Sequence, residues 1–230
     1  ELELGKGNLE KSAEYILKAV EIDPENTWYI QELAYMYFEQ KKFEKSAENF
    51  KKLVEIEPRN VDWQFGYSEV LVRIGETEKA IGALNKTEDQ VGINPSLSIK
   101  KFDLYISIKQ VDKAMNEIAK ARKIFPNDPQ LIATLVDYYF ANNQIDKAVV
   151  MLQELVIADP ENGRAHLALA DVYRQNGESD KAYFELNLAF KSSDLDVDTK
   201  MKILTNILES SFKIDPEVYE LIDLFVTSNP

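Results

Sequence analysis

Along the chain, apolar residues recur at helical spacing in paired bursts, as in Ile30, Leu33 and Tyr37 followed by Ala47, Phe50 and Val54. A polar stretch separates the two bursts, so each pair predicts a helical hairpin. Shifting the sequence against itself by 34 residues brings one motif into register six times: Glu10-Lys11-Ser12, Glu44-Lys45-Ser46, Glu78-Lys79-Ala80, Asp112-Lys113-Ala114, Asp146-Lys147-Ala148 and Asp180-Lys181-Ala182. Twelve residues after each copy come Pro24, Pro58, Gly92, Pro126, Pro160 and Asp194, types that stop helices or favour turns. The turn inside the hairpin carries Gly7, Gly75 and Gly177, with Asn143 at the equivalent place, and these tolerate the left-handed backbone that ends a helix. Lys41 and Lys109 depart from that pattern.

The acid of each motif falls at the start of the second helix, where it is expected to meet the positive end of the macrodipole and to cap free amide groups. The third residue is small in every copy, as required where two helices approach closely. On this register residues 1–26 hold the end of one helix and a complete second helix. Five complete repeats follow at 27–60, 61–94, 95–128, 129–162 and 163–196, and a divergent seventh hairpin occupies 197–230. In that last hairpin Asp215 and Pro216 read as N-cap and first helical residue, with Val218, Leu221, Ile222 and Phe225 as the apolar face.

The period, the aromatic positions Tyr37, Tyr105, Tyr139 and Tyr173, the small residue from Ser12 through Ala182 and the closing Pro together resemble the tetratricopeptide repeat. The resemblance covers essentially the whole chain and implies an all-α fold, a right-handed α-solenoid of about six to seven helix-turn-helix hairpins. Its style is similar to that of bacterial, envelope-associated members, which leaves periplasm and cytoplasm both open. Departures are Lys101 where the family prefers Leu, and Leu71 for Tyr and Gly92 for Pro in the third repeat. Neither end carries the polar face of a terminal repeat. Tyr15, Ile16 and Ala19 at one end, and Leu224 and Phe225 at the other, are expected to be partly exposed, which would suit further repeats or a partner domain.

Composition narrows the function. With 45% hydrophobic and 29% charged residues the chain has enough apolar material to fold. Its formal charge of −13 repels phosphate backbones, so nucleic acid is not an expected partner. No apolar run reaches the roughly 18 residues needed to cross a bilayer, so membrane insertion is not expected. Cys is absent and His166 is the single histidine, so no metal-binding pair and no Ser-His-Asp set can be assembled. No cofactor, metal or enzymatic activity is expected, and His166 reads as a structural residue packed between helices.

The resemblance further implies that the first helix of each repeat lines a concave surface, with residues at fixed offsets touching an extended peptide or a partner helix. One offset gives Tyr35, Glu69, Asp103, Asp137 and Asp171, an acid in four successive repeats. Neighbouring offsets give Phe38, Phe65, Ile106 and Phe140, with Arg164 and Arg174 toward the later repeats. The acids could equally keep hairpins in register, and the aromatics could equally belong to the core. Some family members grip a peptide's terminal carboxylate with a Lys-Asn-Arg clamp; the matching positions here are Gln31, Tyr35, Gly66, Ser96 and Lys100, so that clamp does not carry over. The expected function is a protein–protein interaction scaffold whose groove draws in a basic or amphipathic segment. Two other readings stay open: a recruiting or regulatory arm of an enzyme whose catalytic domain lies elsewhere, and a structural spacer that self-associates through its end helices.

Overall fold

The computed structural model describes residues 9–210 and 216–228, with the backbone alone at 9–14, 209–210, 216–218, 220 and 228. Gly7, Asp215 and the side chains of Glu10, Lys11, Ser12 and Val218 therefore lie outside the described residues. Among the described residues there is no strand. The helices are α1 (Leu9–Ile22), α2 (Thr27–Glu39), α3 (Phe43–Ile56), α4 (Val61–Arg73), α5 (Thr77–Val91), α6 (Pro95–Ser107), α7 (Val111–Ile124), α8 (Pro129–Ala141), α9 (Ile145–Ala158), α10 (Gly163–Gln175), α11 (Ser179–Lys191), α12 (Val197–Ser210) and α13 (Pro216–Ser228). They form two compact units, Glu1–Ile124 and Phe125–Pro230. Successive antiparallel pairs such as α2 with α3, α4 with α5, and α10 with α11 pack along each unit. This is an all-α helical-repeat solenoid.

An Asn or Asp recurs every 34 residues as the cap of the first helix in each pair. Asn26 accepts the Tyr29 amide (3.3 Å), Asn60 those of Asp62 and Trp63 (3.1 and 3.4 Å), and Asn94 those of Ser96 and Leu97 (2.9 and 3.3 Å). Asp128, Asn162 and Asp196 do the same for Leu131, Ala165 and Thr199 (3.0, 2.9 and 2.7 Å). An Asn cap of this kind contributes about 1 kcal/mol. The second helices are built differently from expectation. Lys42, Glu76, Gln144 and Glu178 precede them without any side-chain cap bond, and the motif acids Glu44, Glu78, Asp146 and Asp180 sit inside the first turn. Their contribution is the dipole interaction alone.

The first helices α2, α4, α6, α8 and α10 are each followed by a left-handed residue: Lys41 (φ 57°), Gly75 (81°), Lys109 (61°), Asn143 (55°) and Gly177 (77°). The next amide then returns to the carbonyl four places before that residue, as in Lys42 to Tyr37, Gln110 to Tyr105 and Glu178 to Tyr173, each 2.8 Å. This closure satisfies carbonyls that the helix leaves free. Lys41 and Lys109 thus keep the conformation of the pattern while departing from its residue type.

The motif Lys folds over the Tyr of the same hairpin. Lys45 lies 5.5 Å from the Tyr37 ring centre, Lys113 5.7 Å from Tyr105, Lys147 5.4 Å from Tyr139 and Lys181 5.2 Å from Tyr173. Where Leu71 replaces Tyr, Lys79 instead pairs with Glu76 at 2.6 Å. The small third residue is buried at Ala80, Ala114, Ala148 and Ala182, and the Ser46 hydroxyl donates to the Ala34 carbonyl at 2.8 Å.

Lys101 is fully buried where an aliphatic residue is the family norm. Its ammonium meets Glu88 (2.8 Å), Glu117 (2.5 Å) and Asn85 (3.3 Å), joining α6 to α5 and α7. Burial alone would push the Glu117 carboxyl up, but hydrogen bonds from Lys101 and Lys120 outweigh it and hold the group below the usual carboxylate range. In the second unit the turn before α12 latches onto the start of α10. Gly163 donates its amide to Asp194 (3.0 Å), Ser192 donates to the Glu161 carbonyl (2.6 Å), and buried Lys200 donates to the Ser192 carbonyl (2.9 Å).

At the ends, α1 exposes Tyr15, Leu17 and Ile22, and α13 exposes Tyr219 and Val226. Ile16, by contrast, is buried against Leu33 and Met36, and Leu224 and Phe225 pack partly buried beside Leu204 and Leu221. The expected exposure thus holds at Tyr15 and in part at Ala19, Leu224 and Phe225, while the helical register turns Ile16 inward.

Candidate functional site

In the first unit, α2, α4 and α6 carry the residues that sequence offsets single out, and their side chains meet in succession. The Arg73 guanidinium lies over the Phe38 ring at 5.9 Å, and its Nε donates to Glu69 at 3.1 Å. The second oxygen of Glu69 accepts from Lys100 of α6 at 3.3 Å. Lys100 sits one helical turn from Asp103, whose carboxyl is pushed above the usual carboxylate range by desolvation, partly opposed by the Lys100 charge. Asp103 is nevertheless exposed, so solvent keeps this perturbation modest.

The aromatic members are shared with the core. Tyr35 is 47% exposed, yet one edge of its ring rests on buried Phe50, 5.3 Å between centres and perpendicular. Phe38 packs likewise on Phe43 at 5.5 Å, and Phe65 lies half-buried against Leu71, Ile81 and Leu84. Ile106 is half-buried on α6. Gly66, which falls in the register of the carboxylate clamp, serves packing instead: a Cβ there would overlap the Phe50 ring.

In the second unit, Asp171 and Arg174 of α10 form an exposed pair at 3.5 Å. Both line a cleft of about 360 Å³ whose apolar walls come from Leu167, Leu186, Ile203 and Ile207. Phe140 is half-buried against the core around Ile132 and Val136. Asp137 on α8 and Arg164 at the start of α10 are exposed. His166 is buried, its Nδ1 2.6 Å from Glu185 and its Nε2 3.1 Å from the Pro160 carbonyl, so its ring ties α10 to α11 and to the turn before it.

Three family models described as tetratricopeptide repeat match residues 2–26, 32–92 and 139–196, together more than half of the chain. The chain belongs to the tetratricopeptide repeat family. A tetratricopeptide repeat protein from Parabacteroides merdae superposes with a TM-score of 0.56 at 16% identity, covering 96% of this chain and 93% of that one. PilW, a widely conserved type IV pilus biogenesis factor, gives 0.55 at 14% identity over 94% of this chain and 91% of its own. The APC/C hetero-tetramer Cut9–Hcn1 gives 0.51 at 17% identity over 97% of this chain. The chain spans 44% of that structure's matched chain. At such identities the likeness is one of fold. No curated protein sequence matches the chain. Tetratricopeptide repeats of this kind are in general protein–protein interaction scaffolds, without catalytic function, and their partners are proteins. No helix among the described residues is long and apolar enough to cross a membrane.

For this tetratricopeptide protein, sequence offsets missed Arg73, and they named Lys100 only as a remnant of an absent clamp. These two cations interleave with the acids, so the early part of the surface is a mixed-charge strip. The signal was present in the sequence: Arg73 lies four residues after Glu69, the helical spacing for an ion pair. What could not be read was the reach of Lys100 from α6 to α4, which depends on how closely those helices lie.

Proposed function

We propose that the chain is a non-enzymatic scaffold that holds a basic or amphipathic segment of a partner protein. The segment lies along the first-helix surfaces: Tyr35, Phe38, Phe65, Glu69, Asp103 and Ile106 in the first unit, and Asp137, Phe140, Arg164, Asp171 and Arg174 in the second. The repeats at 27–60 through 163–196 are the units that present these residues. The observation that carries this reading is the strip itself: Glu69 of α4, held between Arg73 and Lys100, stands beside the exposed Asp103 of α6, with the Phe38 ring under Arg73 and the exposed Tyr35 ring on α2. A cation from a partner would pair with Asp103, while the exposed ring of Tyr35 offers apolar contact at low rotamer cost. In the second unit the Asp171–Arg174 pair beside apolar walls suits an amphipathic helix in the same way.

The test is titration of a library of basic amphipathic peptides against the wild-type chain and against the triple variant Asp103→Lys, Asp137→Lys, Asp171→Lys. Selected peptides should bind the wild type with an association rate that falls as salt rises, and bind the variant about tenfold or more weakly. Equal binding by the variant, with helicity preserved, would remove the acids from the reading.

A further inference from the structure

The second helices of the hairpins in the first unit carry a cleft of their own. A cleft of about 460 Å³ opens between α3 and α5, with the turn around Pro58 and one face of α4 as its floor. That volume lies within the range of about 300–1,000 Å³ that ligand pockets occupy. Its rim carries Lys51, 3.6 Å from Glu55, Lys79, 2.6 Å from Glu76, and Lys86. Lys86 has no ion pair among the described residues. In a chain of net charge −13, a rim with this excess of lysine is the reverse of the general surface.

Two observations within the cleft point to an occupant. Gln64 is 4% exposed, lines the cleft, and its Oε1 has no hydrogen-bond partner. A buried amide oxygen left unpaired is destabilising unless something entering the cleft satisfies it. Gly82 sits inside α5 at ordinary helical φ, and a Cβ there would meet nothing within 4 Å. An interior helix glycine lowers stability relative to alanine, and here no backbone strain and no close neighbour demands it. Any side chain at this position would take up space in the cleft.

We propose that this cleft is a docking site for an acidic segment of a partner protein. The segment inserts an apolar side chain beside Val54 and Tyr67, hydrogen-bonds to the Gln64 amide, and lays flanking carboxylates on Lys86, Lys79 and Lys51. Charge complementarity selects this occupant over the basic segment assigned to the first-helix surface, so the chain would bridge two partners of opposite charge.

The experiment is selection of a random peptide display library on the full chain, followed by fluorescence anisotropy of the enriched peptides. Peptides with acids flanking an apolar residue should be enriched. Gly82→Leu, whose Cβ would meet nothing within 4 Å and whose side chain would occupy the cleft, should abolish their binding while leaving the melting temperature equal or higher. Lys86→Glu should weaken binding about tenfold. The triple Asp-to-Lys variant described above should still bind these peptides, which separates this site from the first-helix surface. Failure to enrich acidic peptides would overturn the proposal, as would binding that survives Gly82→Leu. Self-association abolished by Gly82→Leu would overturn it in favour of a second copy of this chain as the occupant.

Discussion

Lys109 holds a backbone conformation that costs an L-residue with a Cβ about 1–2 kcal/mol, because the turn closing α6 requires it. Gly75 and Gly177 fill the equivalent turns without that cost. Lys109→Gly should therefore raise stability, by no more than about 1 kcal/mol once the greater freedom of glycine in the unfolded chain is deducted. Gly177→Ala should lower it by about 1 kcal/mol. Urea midpoints of the two variants measure both effects, and a destabilised Lys109→Gly would mean that its side chain has a role that the turn geometry does not reveal. The lesson of the two lysines is that residue type at a turn is a permissive signal: hydrogen bonding across the turn fixes φ, and the side chain follows.

Within one hairpin, the motif Lys over the consensus Tyr clips the start of the second helix to the end of the first. A double-mutant cycle of Tyr105→Leu with Lys113→Ala should show a coupling of about 0.5 kcal/mol. The same positions in the third repeat, Leu71 and Lys79, should show none, since an aliphatic side chain has no ring face to offer. Between hairpins, Lys101 ties α5, α6 and α7 through buried charge rather than apolar contact. The Glu117 carboxyl has its folded value depressed below its ordinary value of 4.5. A depressed carboxylate contributes stability that is present above the unfolded value and is lost as pH falls through the folded one. The loss thus begins below about pH 4.5 and is absent at neutral pH. Glu117→Gln should lower stability at pH 7 by about 1–3 kcal/mol, because the buried Lys101 loses a charged partner, and should flatten the fall below pH 4.5. Thermal melts of both proteins between pH 3 and 7 check this, and parallel pH profiles would show that the carboxylate is not the group responsible.

Over the whole molecule, stability is spread along repeats that each cover a neighbour, so a local defect should stay local. Gly66→Ala forces α4 away from Phe50, and overpacking of this kind costs about 1–3 kcal/mol. Hydrogen exchange should accelerate most in α3 and α4 and progressively less toward α6 and α7; a uniform acceleration across the unit would show a single cooperative core instead. The sequence by itself determined the period, the hairpin and the family. A 34-residue recurrence of apolar spacing and small residues forces every repeat to bury the same stripe, whatever its surroundings. It also contained, unread, the Asn and Asp caps that recur at the same period, because a cap acts within its own helix. Tertiary structure alone decided which charges meet. Lys100 reaching Glu69, Lys101 sunk between two carboxylates, Asp194 of one turn holding Gly163 of another, and Gln64 left without a partner beneath the α3/α5 cleft all depend on distances between helices far apart in sequence. Those distances are set by the packing of side chains from several repeats at once, which a motif confined to one repeat does not encode.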